Sequence, residues 1–165
     1  MTVAYVNTYT HSVAYVTDQL LTSLKDVIRE IGLSPEKFAD SWPSSSRAMR
    51  AWLESKHLYK IALEIYDPND SDKAILVPEF DVDYDYDGDG SFWVDGEALR
   101  YEIRKQGKVP SACRYSLILY THPGEPHVDG WGPTDGRSRA GMRRYATGTS
   151  VGAPGLGASA AVWTR

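Results

Sequence analysis

The chain has 165 residues, a net charge of −4, 42% hydrophobic and 24% charged residues. This suits one domain with one buried core, and it leaves no basic surface to neutralise a run of phosphates, so direct nucleic-acid binding is not expected. One cysteine, Cys113, excludes an internal disulfide. No run of about 18 apolar residues exists to span a membrane, and MTVAYVNTYTHS lacks the regions of a signal peptide, so the expected location is cytoplasmic.

Residues 10–31 carry Val13, Val16, Leu20, Leu24, Val27, Ile28 and Ile31 at spacings of three and four, which predicts a long helix with one broad apolar face lying under a sheet. Thr10 is its expected N-cap, and Gly32 suits the left-handed position beyond its end. Ser34-Pro35 opens a short helical turn. A second helix over 44–55 points Ala48, Met49, Trp52 and Leu53 inward. HLYKIALEIYD then alternates, with Tyr59, Ile61, Leu63 and Ile65 on one face and Lys60, Ala62 and Glu64 on the other, the pattern of a half-buried strand. Asp67-Pro68-Asn69-Asp70 is a turn.

The next strand, about 74–86, places Leu76, Pro78, Phe80, Val82, Tyr84 and Tyr86 on one face. Asp81, Asp83 and Asp85 make the other face wet and acidic, and Pro78 argues for an edge position or a bulge. After a turn at 87–90, Asp95 caps a third helix that buries Leu99 and Ile103 and ends at Gly107. Residues 112–121 form a strong strand with apolar groups on both faces, Cys113, Tyr115, Leu117 and Leu119 against Ile118 and Tyr120. That is the pattern of a central strand covered on both sides.

After Thr121 the composition changes. The last 44 residues hold nine of the 14 glycines, and the net charge turns from −6 over 1–121 (19 acidic, 13 basic) to +2 over 122–165 (three acidic, five basic). MRRYATGTSV and ASAAVWTR are strand candidates in an otherwise looped tail, anchored by Trp131, Met142, Tyr145, Val151, Leu156 and Trp163. Ordered loops of this length are usually functional.

Residues 80–95, FDVDYDYDGDGSFWVD, imitate a calcium loop. Counted from Asp83, the residues Asp83, Asp85, Asp87 and Gly88 match the start of an EF-hand loop, but Val94 stands where a bidentate glutamate is required, and a strand leads in. Strand alternation accounts for the spacing and leaves room for weak cation binding at the turn. GAPGLGAS, 152–159, has the spacing of a phosphate loop, but Ala158 replaces its lysine and too few residues follow for the helix such a loop opens; it reads as a flexible strand connection. His122 and His127 bracket Glu125 in HPGEPH, where two prolines forbid the helix that would bring the imidazoles together. His11 and His57 are distant, so no metal site is assigned. Cys113 reads as a buried small hydrophobe. No nucleophile–base pair is visible, so no catalytic residue and no cofactor is expected, and the chain reads as a non-enzyme.

The elements, in this order, resemble the HORMA fold, an α+β arrangement of three helices packed on a mainly antiparallel sheet with a β-hairpin and a C-terminal safety-belt segment. YTHSVAYVTDQLLTSLKDVIREIGL (9–33), LEIYDP (63–68), FDVDYDYDGDGSFWVD (80–95), LRYEIRKQGKVPSACRYSL (99–117) and GLGASAAVWTR (155–165) resemble bacterial HORMA proteins of CBASS-type anti-phage signalling systems. The resemblance implies a single HORMA domain over 1–165, with a core at 1–121 and a safety belt at 122–165. It implies a conformational switch whose belt wraps a closure-motif peptide. The peptide would be added as a strand along Cys113, Arg114, Tyr115, Ser116, Leu117, Ile118, Leu119 and Tyr120. It implies that the closed form binds and activates a cGAS-like nucleotidyltransferase. An AAA+ remodelling ATPase would then reopen it through a handle at Thr2, Val3, Ala4, Tyr5, Val6, Asn7, Thr8 and Tyr9. From the residues alone, a static adaptor or calcium-modulated protein-binding module without belt remodelling is the alternative.

Overall fold

The apolar stripe expected at Val13, Val16, Leu20, Leu24, Val27, Ile28 and Ile31 is wholly buried, and all but its last residue lies in α1, Thr8–Glu30. The structure, a computed structural model, describes residues 8–165. Gly32 takes φ +87°, and its N–H and that of Leu33 donate back to the carbonyls of Arg29 and Ile28, which is how a glycine closes a helix end. Thr10 is not the cap. It lies inside α1, and its hydroxyl donates to the Glu54 carboxylate at 3.2 Å.

Two further helices follow, α2 over Glu36–Asp40 and α3 over Trp42–Glu54. Ala48, Met49, Trp52 and Leu53 are buried as expected, in the core that α1 also lines. α4, Glu97–Gln106, adds Leu99 and Ile103 to that core and ends at Gly107, φ +77°. Asp95 stands one residue before the N-cap, and its carboxylate accepts the Glu97 N–H at 3.0 Å. No described helix is long and apolar enough to cross a membrane.

The sheet consists of β1 Leu58–Tyr66, β2 Ala74–Asp83, β3 Trp93–Val94, β4 Arg114–Thr121, β5 Arg143–Ala153 and β6 Leu156–Thr164. Its order is β3-β5-β6-β2-β1-β4, with every neighbour antiparallel. The four helices cover one face, where Ile61, Leu63, Ile65, Leu76 and Phe80 complete the main core.

Three strand readings change. β4 is not central: it pairs with β1 and ends the sheet. It is apolar on both faces because Tyr115, Leu117 and Leu119 meet the helical core while Tyr120 joins a second cluster with Ala62, Ala74, Val77, Met142 and Trp163. β1 is not half-buried either, since Ala62 and Glu64 are at 0% exposure, like Ile61 and Leu63. Their cover comes from the C-terminal quarter, which strand alternation cannot reveal. Pro78 lies at neither edge. β2 runs between β1 and β6, and its ladder to β1 is interrupted opposite the proline, pairing at Ala62–Glu79 and resuming at Ile65–Leu76; a residue without N–H imposes that break.

GAPGLGAS is a tight hairpin, not a loose connection. Ala153 ends β5, Leu156 begins β6, and Pro154 and Gly155 alone turn between them, with Gly155 at φ +72°, a conformation suited to glycine. Both strand candidates of the tail are present and longer than expected. β3, which the sequence reading left unassigned, pairs with β5 at Val151 and Gly152.

Candidate functional site

Between Thr121 and Arg143 the chain passes from the helical face of the sheet to the opposite face, around the free side of β4. The first half of this route is held by aromatics. His122 stacks on Tyr59 with ring centroids 4.7 Å apart. Trp52 Nε1 donates to the Pro126 carbonyl at 2.7 Å. Trp131 meets Trp52 edge to face at 5.9 Å and donates through Nε1 to Ser44 Oγ at 3.2 Å. Val128 is buried in the main core.

The second half is held by charge. Glu64 of β1 and Glu79 of β2 point to the face away from the helices and are fully enclosed. The Arg137 N–H donates to both Glu64 oxygens, at 3.1 and 3.0 Å, and its Nη1 to Glu64 Oε1 at 3.2 Å. The same guanidinium lies 3.5 Å from the centroid of the Tyr66 ring. Glu79 accepts from Arg139 at 2.7 Å, Arg144 at 3.1 Å and Trp163 Nε1 at 2.8 Å. Burial by itself would raise the Glu79 pKa, but the hydrogen bonds from Arg139, Trp163 and Arg144 reverse this and hold the carboxyl below its ordinary 4.5. Lys60 adds a weaker contact to Glu79 at 3.6 Å. Two interior strands thus present two buried carboxylates, and nearly every donor to them comes from residues 137–163. Enclosed carboxylates require such partners.

The crossing segment stands off from β4 and leaves a groove along the strand's free edge. One part, about 510 Å³, lies between Leu117–Thr121, Trp52 and residues 125–134. A second part, about 620 Å³, continues past Ile118 and Ser116 under residues 134–138. The two share Ile118 and Thr134. At the far end the segment touches the sheet closely: a Cβ on Gly136 would lie 2.9 Å from Tyr120 Oη and 3.2 Å from Glu64 Oε2. A larger residue there would have to displace those two side-chain ends. Among the described residues no strand pairs with this outer edge of β4, and an open sheet edge can pair with an added extended segment.

The residues named from the sequence fall as follows. Arg114, Tyr115, Ser116, Leu117, Ile118, Leu119 and Tyr120 lie in β4, and Cys113 lies just before it, its thiol pushed up by burial and by the charge of Asp67. Met142, Val151 and Leu156 are buried, and Trp131 and Trp163 are half-buried. Tyr145 is a correction: at 42% exposure it is not a buried anchor, although it pairs opposite the buried Val162. Thr2, Val3, Ala4, Tyr5, Val6 and Asn7 lie outside the described residues. Thr8 and Tyr9 are already in α1, where Tyr9 donates to the Leu53 carbonyl at 2.6 Å; burial, reinforced by Glu54, pushes its phenol up to about 12.

The aspartate row serves the fold locally. Asp81 accepts from Arg144 at 2.7 Å, while Asp83 and Asp89 accept the N–H of Asp85 and Ser91, each at 2.9 Å. Among the described residues no group of three or more His, Cys, Asp or Glu side chains could hold a metal ion. Sequence reasoning missed Glu64, Glu79, Arg137, Arg139 and Arg144. The available signal was four arginines within 137–144 of an otherwise charge-poor tail, matched by two glutamates inside apolar strands.

Comparison with known proteins places this geometry. A family model, Bacterial HORMA domain 2, matches residues 1–165. A chain of the mitotic checkpoint complex crystal structure superposes with a TM-score of 0.71 at 12% identity, over 95% of this chain and 96% of its own length. C. elegans HTP-1 bound to HTP-3 motif-1 gives 0.64 at 14% identity, covering 93% and 90%. A chain of the E. coli MS115-1 CdnC:HORMA-deltaN complex gives 0.61 at 10% identity, covering 99% and 93%. At these identities the likeness is one of fold. No curated protein sequence matches significantly.

Proposed function

Because the chain belongs to the Bacterial HORMA domain 2 family, we propose that it is a non-enzymatic conformational switch that captures a closure-motif peptide along β4. Residues 122–165 act as its safety belt, and residues 1–121 are the core it closes on. In the closed state the protein binds and activates a cGAS-like nucleotidyltransferase in CBASS-type defence, and an AAA+ remodeller reopens it. The observation that carries the reading is the free edge of β4 beneath a segment attached on both faces of the sheet. Backbone pairing supplies affinity, and the roof makes release depend on detaching the segment. The partners of two structures of the same fold accord with this: HTP-1 holds a motif of HTP-3, and CdnC is complexed with a HORMA protein.

The test is selection of peptides from a random library on the full chain, followed by a nucleotidyltransferase assay with and without the selected peptide. Peptide-dependent stimulation of the enzyme is expected. A captured peptide that leaves the enzyme's rate unchanged would remove the activation step from the proposal.

The handle extends over Thr2–Tyr9, and its last residue is fixed to α3 through the Leu53 carbonyl. Traction on it would therefore reach α3, which carries Trp52 and hence Pro126. Replacing Thr2–Asn7 by alanine, with Tyr9 spared, is expected to preserve peptide capture and abolish ATP-driven release. Release at the wild-type rate would refute the handle.

A further inference from the structure

The groove along β4 is chemically asymmetric in a way that restricts its occupant. A strand laid beside β4 continues the pleat, so alternate side chains would face the side of Leu117 and Leu119. On that side the wall is Trp52, Val128 and Trp131, members of or packed on the main core. The other side is the crossing segment from Thr134 to Ser138, where the lining is mainly polar and Gly136 stands close to Tyr120. The groove follows Ser116 to Thr121, six strand residues that at about 3.4 Å each give roughly 20 Å of edge, enough for about six guest residues.

Among the described residues, the charged groups in the groove lining that lack an ion-pair partner are all acidic. Glu125 stands at the mouth near Thr121, and Asp72 and Asp135 stand along the second part. All three are exposed, and none pairs with a base among the described residues. The one cation in the lining, Arg137, is bound to Glu64, to the Ser71 carbonyl and over the Tyr66 ring. His127 is paired with Asp129 at 3.0 Å. Arg114 lies at the opposite end of the strand, outside both parts of the groove.

Resting on the peptide-capture reading above, we infer that the guest is a cationic peptide. It carries two large apolar residues two positions apart, small or polar residues between them, and Lys or Arg toward its ends. The apolar pair fills the Trp52–Trp131 side, and the basic groups face Glu125, Asp72 and Asp135. Exposed ion pairs of this kind contribute modestly to affinity, about 1.5- to 5-fold each, and more to selection among guests.

The experiment is display selection of random nonapeptides on the full chain and on a Glu125→Lys/Asp135→Lys variant, with affinities of the winners measured by fluorescence anisotropy at low and high NaCl. The wild type is expected to enrich alternating apolar residues with Lys and Arg in clear excess over Asp and Glu. Its winners should weaken as salt rises. The variant should keep the apolar alternation, lose the basic excess, and bind the wild-type winners about 10-fold less tightly. Because both substituted residues are exposed loop positions, circular dichroism of the variant should match the wild type. Enriched peptides that are neutral or acidic, or a variant with unchanged preference, would overturn this inference while leaving peptide capture intact. Failure of the wild type to enrich any peptide would overturn the capture reading itself.

Discussion

Replacing Glu79 by alanine is expected to lower the unfolding free energy by about 3–5 kcal/mol, because it leaves Arg139, Arg144 and the Trp163 N–H facing a void where one carboxylate had satisfied all three. For a domain of this size that corresponds to roughly 6–20 °C in Tm. Glu79→Gln keeps the volume and two hydrogen-bonding atoms, so it should lose less. Thermal unfolding of both variants, with trypsin cleavage after Arg139 as a second readout, checks this. The carboxyl titrates below 4.5 in the fold and close to its ordinary value in the unfolded chain. Its ionisation therefore stabilises the fold above about pH 4.5, and that gain is lost as the pH falls through the folded value. Glu79→Gln should flatten this acid limb of the stability profile. An alanine variant with unchanged Tm would show that the two arginines find equivalent partners in water and that the carboxylate does not hold the segment.

The same cluster shows where sequence reading works and where it stops. Val13 to Ile31, Ala48 to Leu53, and Leu99 with Ile103 were legible because a helix repeats its buried face every turn and needs no knowledge of what covers it. β5 and β6 were legible as strands, but not as a hairpin that joins β2 through β6, since strand pairing is a tertiary property. Glu64 and Lys60 alternate alike, yet Glu64 is enclosed and Lys60 is not, and the difference is Arg137, 73 residues downstream. β4 shows the same limit in reverse. Its two apolar faces describe a covered strand correctly, but one cover is a loop, so the pattern that suggests a central strand belongs to an edge. The acidic row at 80–95 looked like a ligand set because strand alternation and Asx turns both space carboxylates by two. The nearby hydrogen bonds distinguish these causes, and residue order does not.

Trp52 is the point where the core and the crossing segment share one side chain, so its substitutions should separate the two. It is 8% exposed within the main core, its ring meets Trp131, and its N–H holds the Pro126 carbonyl at 2.7 Å. Trp52→Ala is expected to cost about 3–5 kcal/mol through the cavity it leaves. Trp52→Phe retains most of the apolar contact but deletes the donor, so the expected stability loss is nearer 1–2 kcal/mol, the cost of one unmade hydrogen bond and a smaller ring. Urea unfolding measures these losses. The rate of tryptic cleavage after Arg137 and Arg139, both about one-fifth exposed in the wild type, reports the segment alone. Both variants should be cut faster than the wild type. The phenylalanine chain should show a disproportionate acceleration for its small loss of stability, because local detachment then no longer requires breaking the Pro126 bond. If its cleavage rate matched the wild type, the first attachment would reside in Trp131 and Val128 instead. The point at which the crossing segment detaches most readily would then lie toward its arginine–glutamate contacts.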